Sequence, residues 1–175
     1  GWLAVASLQR KGWTVIVNGT PPLVTNGLVM NLDAGIPQSY PGSGSTWYNL
    51  ADNSKNMTLY GGVTYSNNAL TFSRSSSQYG SITQNLLSTG ANVPHSVEMW
   101  VNFSSFSNYT VDRWWLMRLG QPGVGSSIWI GYTPTNNAFG KWGTAQDPIP
   151  NSFPMNLSGT GVWQQLITTF DGSTL

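Results

Sequence analysis

Residues 96–103 read SVEMWVNF. Val97, Met99, Val101 and Phe103 fall on one side of an extended chain, and Glu98, Trp100 and Asn102 on the other. Successive side chains of a strand leave opposite faces, so this alternation is the signature of a half-buried β-strand. The pattern predicts Val97, Met99, Val101 and Phe103 toward a core.

The same texture extends outward in both directions. Upstream lie GLVMNLD (27–33), MTLY (57–60), NALTFS (68–73) and QYGSIT (78–83). Downstream lie RWWLMRLG (113–120), SSIWIGY (126–132), AFGKWG (138–143) and VWQQLITTF (162–170). In GLVMNLD, Leu28, Met30 and Leu32 share one face. Gly, Ser and Asn breaks separate the runs, and Asp171-Gly172 is a turn dipeptide that favours positive φ. Only residues 83–90 read as a short helical turn. Many short strands between turn signals predict an all-β protein, an antiparallel two-sheet sandwich or jelly roll.

Residues 1–22 have a different character. GWLAVASLQRKG (1–12) reads as a helix with Arg10 and Lys11 in its last turn and Gly12 as C-cap. WTVIVN (13–18) reads as a strand and GTPP as a break. Residues 1–22 are expected to be an N-terminal extension or the tail of a preceding domain, and 23–175 the main domain.

Charged residues make up 7% of the chain and the formal net charge is +1, against about 25% charged in ordinary soluble domains. Ser, Thr, Asn and Gly carry the polar surface, as is common in extracellular or particle-exposed β proteins. So weak a field gives no support to steering toward nucleic acid or acidic membranes. With no cysteine, disulfides, thiolate chemistry and zinc ribbons are excluded. No apolar run approaches the roughly 20 residues of a membrane span, so no membrane insertion is expected.

Four segments, taken in order, carry a family resemblance. GLVMNLDAG with SYPGSGSTWYNLADNSKNMTL, LTFSRSSSQYGSI, HSVEMWVNFSS and GVWQQLITTFDGSTL resemble the successive strands of concanavalin A-like, laminin-G-type jelly-roll domains. The match covers roughly residues 27–175. The YPGSG form at 40–44 is similar to versions in bacteriophage virion proteins and secreted bacterial surface proteins. The resemblance implies a concanavalin A-like β-sandwich. It also implies a structural or adhesive module at a virion surface, such as a capsid decoration, fibre or tail protein. The partners so implied are other virion proteins, copies of itself, or cell-surface glycans. The alternative is a secreted, lectin-like carbohydrate-binding domain at a bacterial surface.

Some relatives of this fold bind calcium through carboxylates near the loop at 47–53. Calcium takes six to eight oxygens, several of them charged. Here Asn49 and Ser73 stand where the family pattern has Asp, and Asp52 is alone. The loop therefore reads as a structural turn, with a calcium site as the weaker alternative and no cofactor expected. In that turn Trp47 and Leu50 cover the end of the sandwich, while Asn49, Asp52 and Asn53 bond to backbone groups. Asp33, in DAG, reads as a structural turn residue.

Catalysis finds little to work with. A glycosidase needs two carboxylates, about 5–5.5 Å apart when retaining and about 6.5–9.5 Å when inverting. The six acids, Asp33, Asp52, Glu98, Asp112, Asp147 and Asp171, show no paired spacing. Glu98 reads as a strand residue, hydrogen-bonded or solvated. His95 is the only histidine and reads as an exposed loop residue at the start of a strand. A non-enzyme is expected.

The aromatics remain. Nine Trp and seven Tyr serve cores and interfaces equally well. Trp114 and Trp115 are adjacent in a strand-like run, so one faces the core and the other solvent or a partner. A glycan or partner surface is expected among Trp114, Trp115, Trp129, Tyr132 and Trp142. In the resembled family the hairpin at 171–172 leads to further strands that pair beside the first. The polypeptide is therefore expected to continue past Leu175, or a neighbouring chain or WTVIVN to fill the open edge.

Overall fold

A computed structural model describes residues 25–84, 86, 93–104, 114–120, 127–133, 138–142, 151–154 and 160–170. The expected extension at 1–22, most of the helical turn at 83–90, and Asp112, Asp147 and Asp171-Gly172 lie outside the described residues. The chain is all-β. Its strands are β1 (Thr46–Trp47), β2 (Met57–Tyr60), β3 (Thr64–Ser66), β4 (Ala69–Thr71), β5 (Tyr79–Ser81), β6 (His95–Asn102), β7 (Trp114–Gly120), β8 (Ser127–Thr133), β9 (Ala138–Trp142), β10 (Asn151–Pro154) and β11 (Trp163–Phe170). One 3₁₀ turn spans Arg74–Ser76. The sheets are antiparallel, with orders β1-β2-β5, β3-β4, β10-β9-β8-β7 and β11-β6. The chain divides into two compact units between Ile82 and Thr83.

In the first unit, Leu59 of β2 is buried, and Thr58 and Tyr60 on either side of it are exposed. Leu59 pairs with Gly80 of β5. A Cβ on Gly80 would overlap the Met57 thioether, so that side chain occupies the space a larger residue would need. The hairpin β3–β4 closes on Asn67 and Asn68, both at positive φ (50° and 61°). Two central residues of positive φ match the right-handed twist of the flanking strands, and Asn tolerates that conformation. Tyr40, Ala34 and Ser39 are buried beside these strands in sequence. The Tyr40 hydroxyl donates to Gly44 O, and its ring meets Tyr65 at 5.2 Å.

The expected strand GLVMNLD forms no ladder. Its burial keeps some of the predicted phase: Leu28, Met30 and Leu32 are half-buried, and Val29 and Asp33 are exposed. Its backbone groups, however, are met by a side chain. Asn49 Oδ1 accepts from Asn31 N at 2.8 Å, and Asn49 Nδ2 donates to Val29 O at 3.1 Å. Leu50 N then donates to Asn31 O. Among the described residues, the amide of one buried asparagine meets this backbone where a neighbouring strand would, and no strand pairs with the segment.

In the second unit, β6 and β11 pair along their whole length, with Met99 opposite Leu166 and Val101 opposite Gln164. Val97, Met99, Val101 and Phe103 are all half-buried and Leu166 is buried, while Ser96, Glu98, Trp100 and Asn102 are exposed. The register read from the alternation of SVEMWVNF is therefore the observed one. Gly161 N donates to Phe103 O and closes the end of the ribbon. His95 departs from expectation: it is the first residue of β6 and half-buried, with Nδ1 2.6 Å from Val93 O. The contact with Val93 O, two residues back, holds the imidazole against the local backbone.

Candidate functional site

The loop after β1 answers the question its composition raised. Asn49 is 1% exposed and its amide makes three hydrogen bonds. Besides the bonds to Asn31 and Val29, Oδ1 accepts from Ala51 N at 3.1 Å. Asn49 N in turn donates to Asn56 Oδ1 at 2.9 Å. Ser39, also fully buried, accepts from Asp33 N and donates to Tyr48 O at 2.7 Å. Asp33 Oδ1 accepts from Gly35 N, the structural turn expected for DAG. Asp52 Oδ1 accepts from Ser54 N and Ser54 Oγ, and Lys55 Nζ lies 3.2 Å from Oδ2. The Ser54 hydroxyl, then the Ser54 N–H, then Lys55 hold the Asp52 carboxyl below the usual carboxylate range.

The side-chain oxygens of Asn49, Asp52 and Asn56 thus accept from the loop's own donors, as a structural turn requires. Two details differ from the sequence reading. Asn56, rather than Asn53, is the second asparagine whose side chain bonds to the backbone. Leu50 is 40% exposed, while Trp47 is half-buried. Ser73, the other position where the family pattern has Asp, bonds through its N–H to Gln78 Oε1 and through Oγ to Ser75 Oγ. Glu98 lies on the exposed face of β6 and accepts from Gln165 Nε2 at 2.6 Å.

The five nominated aromatics lie on one sheet, β10-β9-β8-β7, and the register sorts them. Trp114 pairs with Tyr132, Tyr132 with Phe139, and Phe139 with Phe153. Directly opposed residues share a face, so these four form one row across the sheet. Met117, Leu119, Ile128 and Ile130 belong to that face as well. The other face carries Trp115 opposite Gly131, Gly131 opposite Gly140, Arg118 opposite Trp129, and Trp129 opposite Trp142. Exposure agrees with the division where it is described: Met117 is half-buried and Arg118 exposed.

A bulge makes this arrangement. The register shifts between Trp115 and Met117, which leaves Leu116 as an extra residue in β7. Without it, strict alternation would place Trp115 with Met117 and Arg118 with Trp114. The inserted residue resets the phase, so Trp115, Arg118, Trp129 and Trp142 come to one face. Trp114 and Tyr132 belong to the opposite face, which by register also carries Lys141 and Asn151. The nominated set therefore splits, as the adjacency of Trp114 and Trp115 required, and three of its five members stay together.

The sequence reading passed over other exposed aromatics. Trp100 (40% exposed) and Trp163 (51%) lie on the outer face of β6–β11 with Ile167. Tyr60 and Tyr79, opposite each other on β2 and β5, stack at 4.8 Å with both rings exposed. The phase of Trp100 was readable from SVEMWVNF, but the Tyr60–Tyr79 pairing depends on a register that the sequence does not display. Among the described residues, no helix is long and apolar enough to cross a membrane. Compared with known proteins, the chain matches no family model, no curated protein and no solved structure.

Proposed function

We propose that this chain is a non-enzymatic structural and adhesive module of a bacteriophage particle, a capsid decoration, fibre or tail protein, whose β7–β10 sheet contacts host-surface glycans. In this reading the strands belong to a concanavalin A-like jelly roll, as the four resembling segments imply. The observation that carries the proposal is the shared face of Trp115, Trp129 and Trp142. Gly131 and Gly140 lie between the tryptophan positions by register, and residues without side chains leave room for a ligand to approach the sheet. Indole rings offer large apolar faces with little conformational entropy to lose, which suits the apolar faces of pyranose rings. Arg118 is the one charged residue among the described positions of that face.

Retention of the purified chain on immobilised bacterial envelope polysaccharide tests this reading. Wild type should be retarded. Trp115→Ala, Trp129→Ala and Trp142→Ala should each weaken retention by about tenfold, since one aromatic contact is worth about 0.5–1.5 kcal/mol beyond its buried area. Trp100→Ala, on a different sheet, should leave it unchanged. Full retention by all three variants of the β7–β10 face would refute the proposal.

A further inference from the structure

Tyr60 ends β2 and Tyr79 begins β5, and the register sets them directly opposite each other. Opposed residues of an antiparallel ladder have Cβ atoms about 4.5–5.5 Å apart, so both rings leave one face of the sheet side by side. They stack with centroids 4.8 Å apart and planes 17° apart, and the two residues are 42% and 54% exposed. The chain beside them is clasped. Gln78 Nε2 donates to Gly61 O and Gly62 O at 3.1 and 2.7 Å, and Gln78 Oε1 accepts from Ser73 N at 2.6 Å. Gly61, at φ 79°, leaves room for the clasp, since a Cβ there would stand 3.0 Å from Ser76 O. Among the described residues, neither hydroxyl of the stacked pair is hydrogen-bonded. The other tyrosine contact is made for packing. Tyr40 and Tyr65 meet at 5.2 Å and 54°, and Tyr40 is 3% exposed. Their hydroxyls donate to Gly44 O and Asn68 Oδ1.

We infer that Tyr60–Tyr79 is an oxidative cross-linking site, at which a one-electron oxidant of the peroxidase class joins β2 to β5 through a dityrosine bond. Each phenol gives up one electron and its hydroxyl proton. A tyrosyl radical carries its spin on oxygen and on the ring carbons ortho and para to it, and the para carbon is blocked by Cβ. Coupling of two radicals therefore forms a C–C bond between ortho carbons, and the hydrogen on each of those carbons moves to its oxygen. Two phenols and one hydrogen peroxide give one dityrosine and two waters. The stack keeps the second ring within reach as the first radical forms, and exposure leaves both rings free to slide until the ortho carbons meet. The sequence has no cysteine, so a biaryl rather than a disulfide is the staple these strands can take. It closes the loop 60–79, which carries β3, β4 and the 3₁₀ turn, and restricts the unfolded chain as a disulfide of that span does. The inference rests on neither the tryptophan face nor glycan binding.

Treatment of the dilute full chain with a haem peroxidase and limiting hydrogen peroxide tests it, read by dityrosine fluorescence, intact mass and peptide mapping. Wild type should gain the fluorescence as a monomer and lose the mass of two hydrogen atoms. The map should join the peptide of Tyr60 to that of Tyr79. Tyr60→Phe and Tyr79→Phe keep the ring and its packing but have no phenol, and each should lose the intramolecular product. Tyr65→Phe should keep it. The cross-linked monomer should melt about 6–12 °C above the untreated chain. A wild type that forms only chain-to-chain bonds or none, a map that joins other tyrosines, an intramolecular bond that survives in Tyr60→Phe or Tyr79→Phe, or its loss in Tyr65→Phe would overturn the inference. A cross-linked monomer that melts no higher than the untreated chain would overturn the stapling role. Each of these outcomes is independent of polysaccharide retention by the Trp115, Trp129 and Trp142 variants.

Discussion

Replacing Asn49 by Ala should unlatch the first unit. The side chain accepts from Asn31 N and Ala51 N and donates to Val29 O, and the residue is 1% exposed. Each intramolecular hydrogen bond contributes about 0.5–1.5 kcal/mol net. Three of them sum to about 3 kcal/mol, and the segment 28–33 has no ladder to fall back on. Against a typical net stability of about 5–15 kcal/mol, that is a large fraction. In a chain of this size it corresponds to a fall of about 6–12 °C in melting temperature. Thermal unfolding followed by circular dichroism measures it, with the exposed Asn53→Ala as a control expected within about 0.5 kcal/mol of wild type. Asn49→Asp sharpens the test. A buried carboxylate keeps the two accepted bonds but sets an oxygen against Val29 O, and burial raises its pKa above the unfolded value. A raised folded-state pKa favours the native state at low pH and loses that advantage as pH rises through it. Asn49→Asp should therefore approach wild-type stability in acid and fall away toward neutral pH. An Asn49→Ala variant melting within about 2 °C of wild type would refute the view that this amide substitutes for a strand.

The lowered pKa of Asp52 predicts a contribution to stability that is present above its unfolded value of about 4 and lost as pH falls through the lower folded value. Asp52→Asn should remove that part of the acid limb in a melting series from about pH 5 to pH 2. Thr168 Oγ1 is buried without a hydrogen-bond partner among the described residues. Thr168→Val should stabilise the second unit by about 1 kcal/mol in urea denaturation, because an unmet hydroxyl costs about 1–3 kcal/mol. Gly80→Ala should cost about 1–3 kcal/mol in the same assay by overpacking against Met57.

The strand content and much of its phase were legible in the sequence. SVEMWVNF alternates strictly, and its observed exposure follows that alternation residue by residue. Period-2 patterning is a local property, written by the requirement that one face meet a core and the other water. The turn character of the loop at 48–55 was legible for a similar reason, since a short polar side chain such as that of Asp52 caps its near neighbours. Asp52 does so with Ser54, two residues on.

Long-range pairing was a different matter. GLVMNLD has strand composition, yet its partner is the amide of Asn49, 18 and 20 residues away, and no periodicity announces that exchange. RWWLMRLG fixes by adjacency that Trp114 and Trp115 take opposite faces, but it is silent on which of the later residues join each of them. The bulge at Leu116 decides that Trp115 lies with Arg118, Trp129 and Trp142, and Trp114 with Met117 and Tyr132. A bulge exists only in the ladder between two strands, where the hydrogen bonds of β8 count the residues of β7. One residue slipped in that count moves a side chain to the other face.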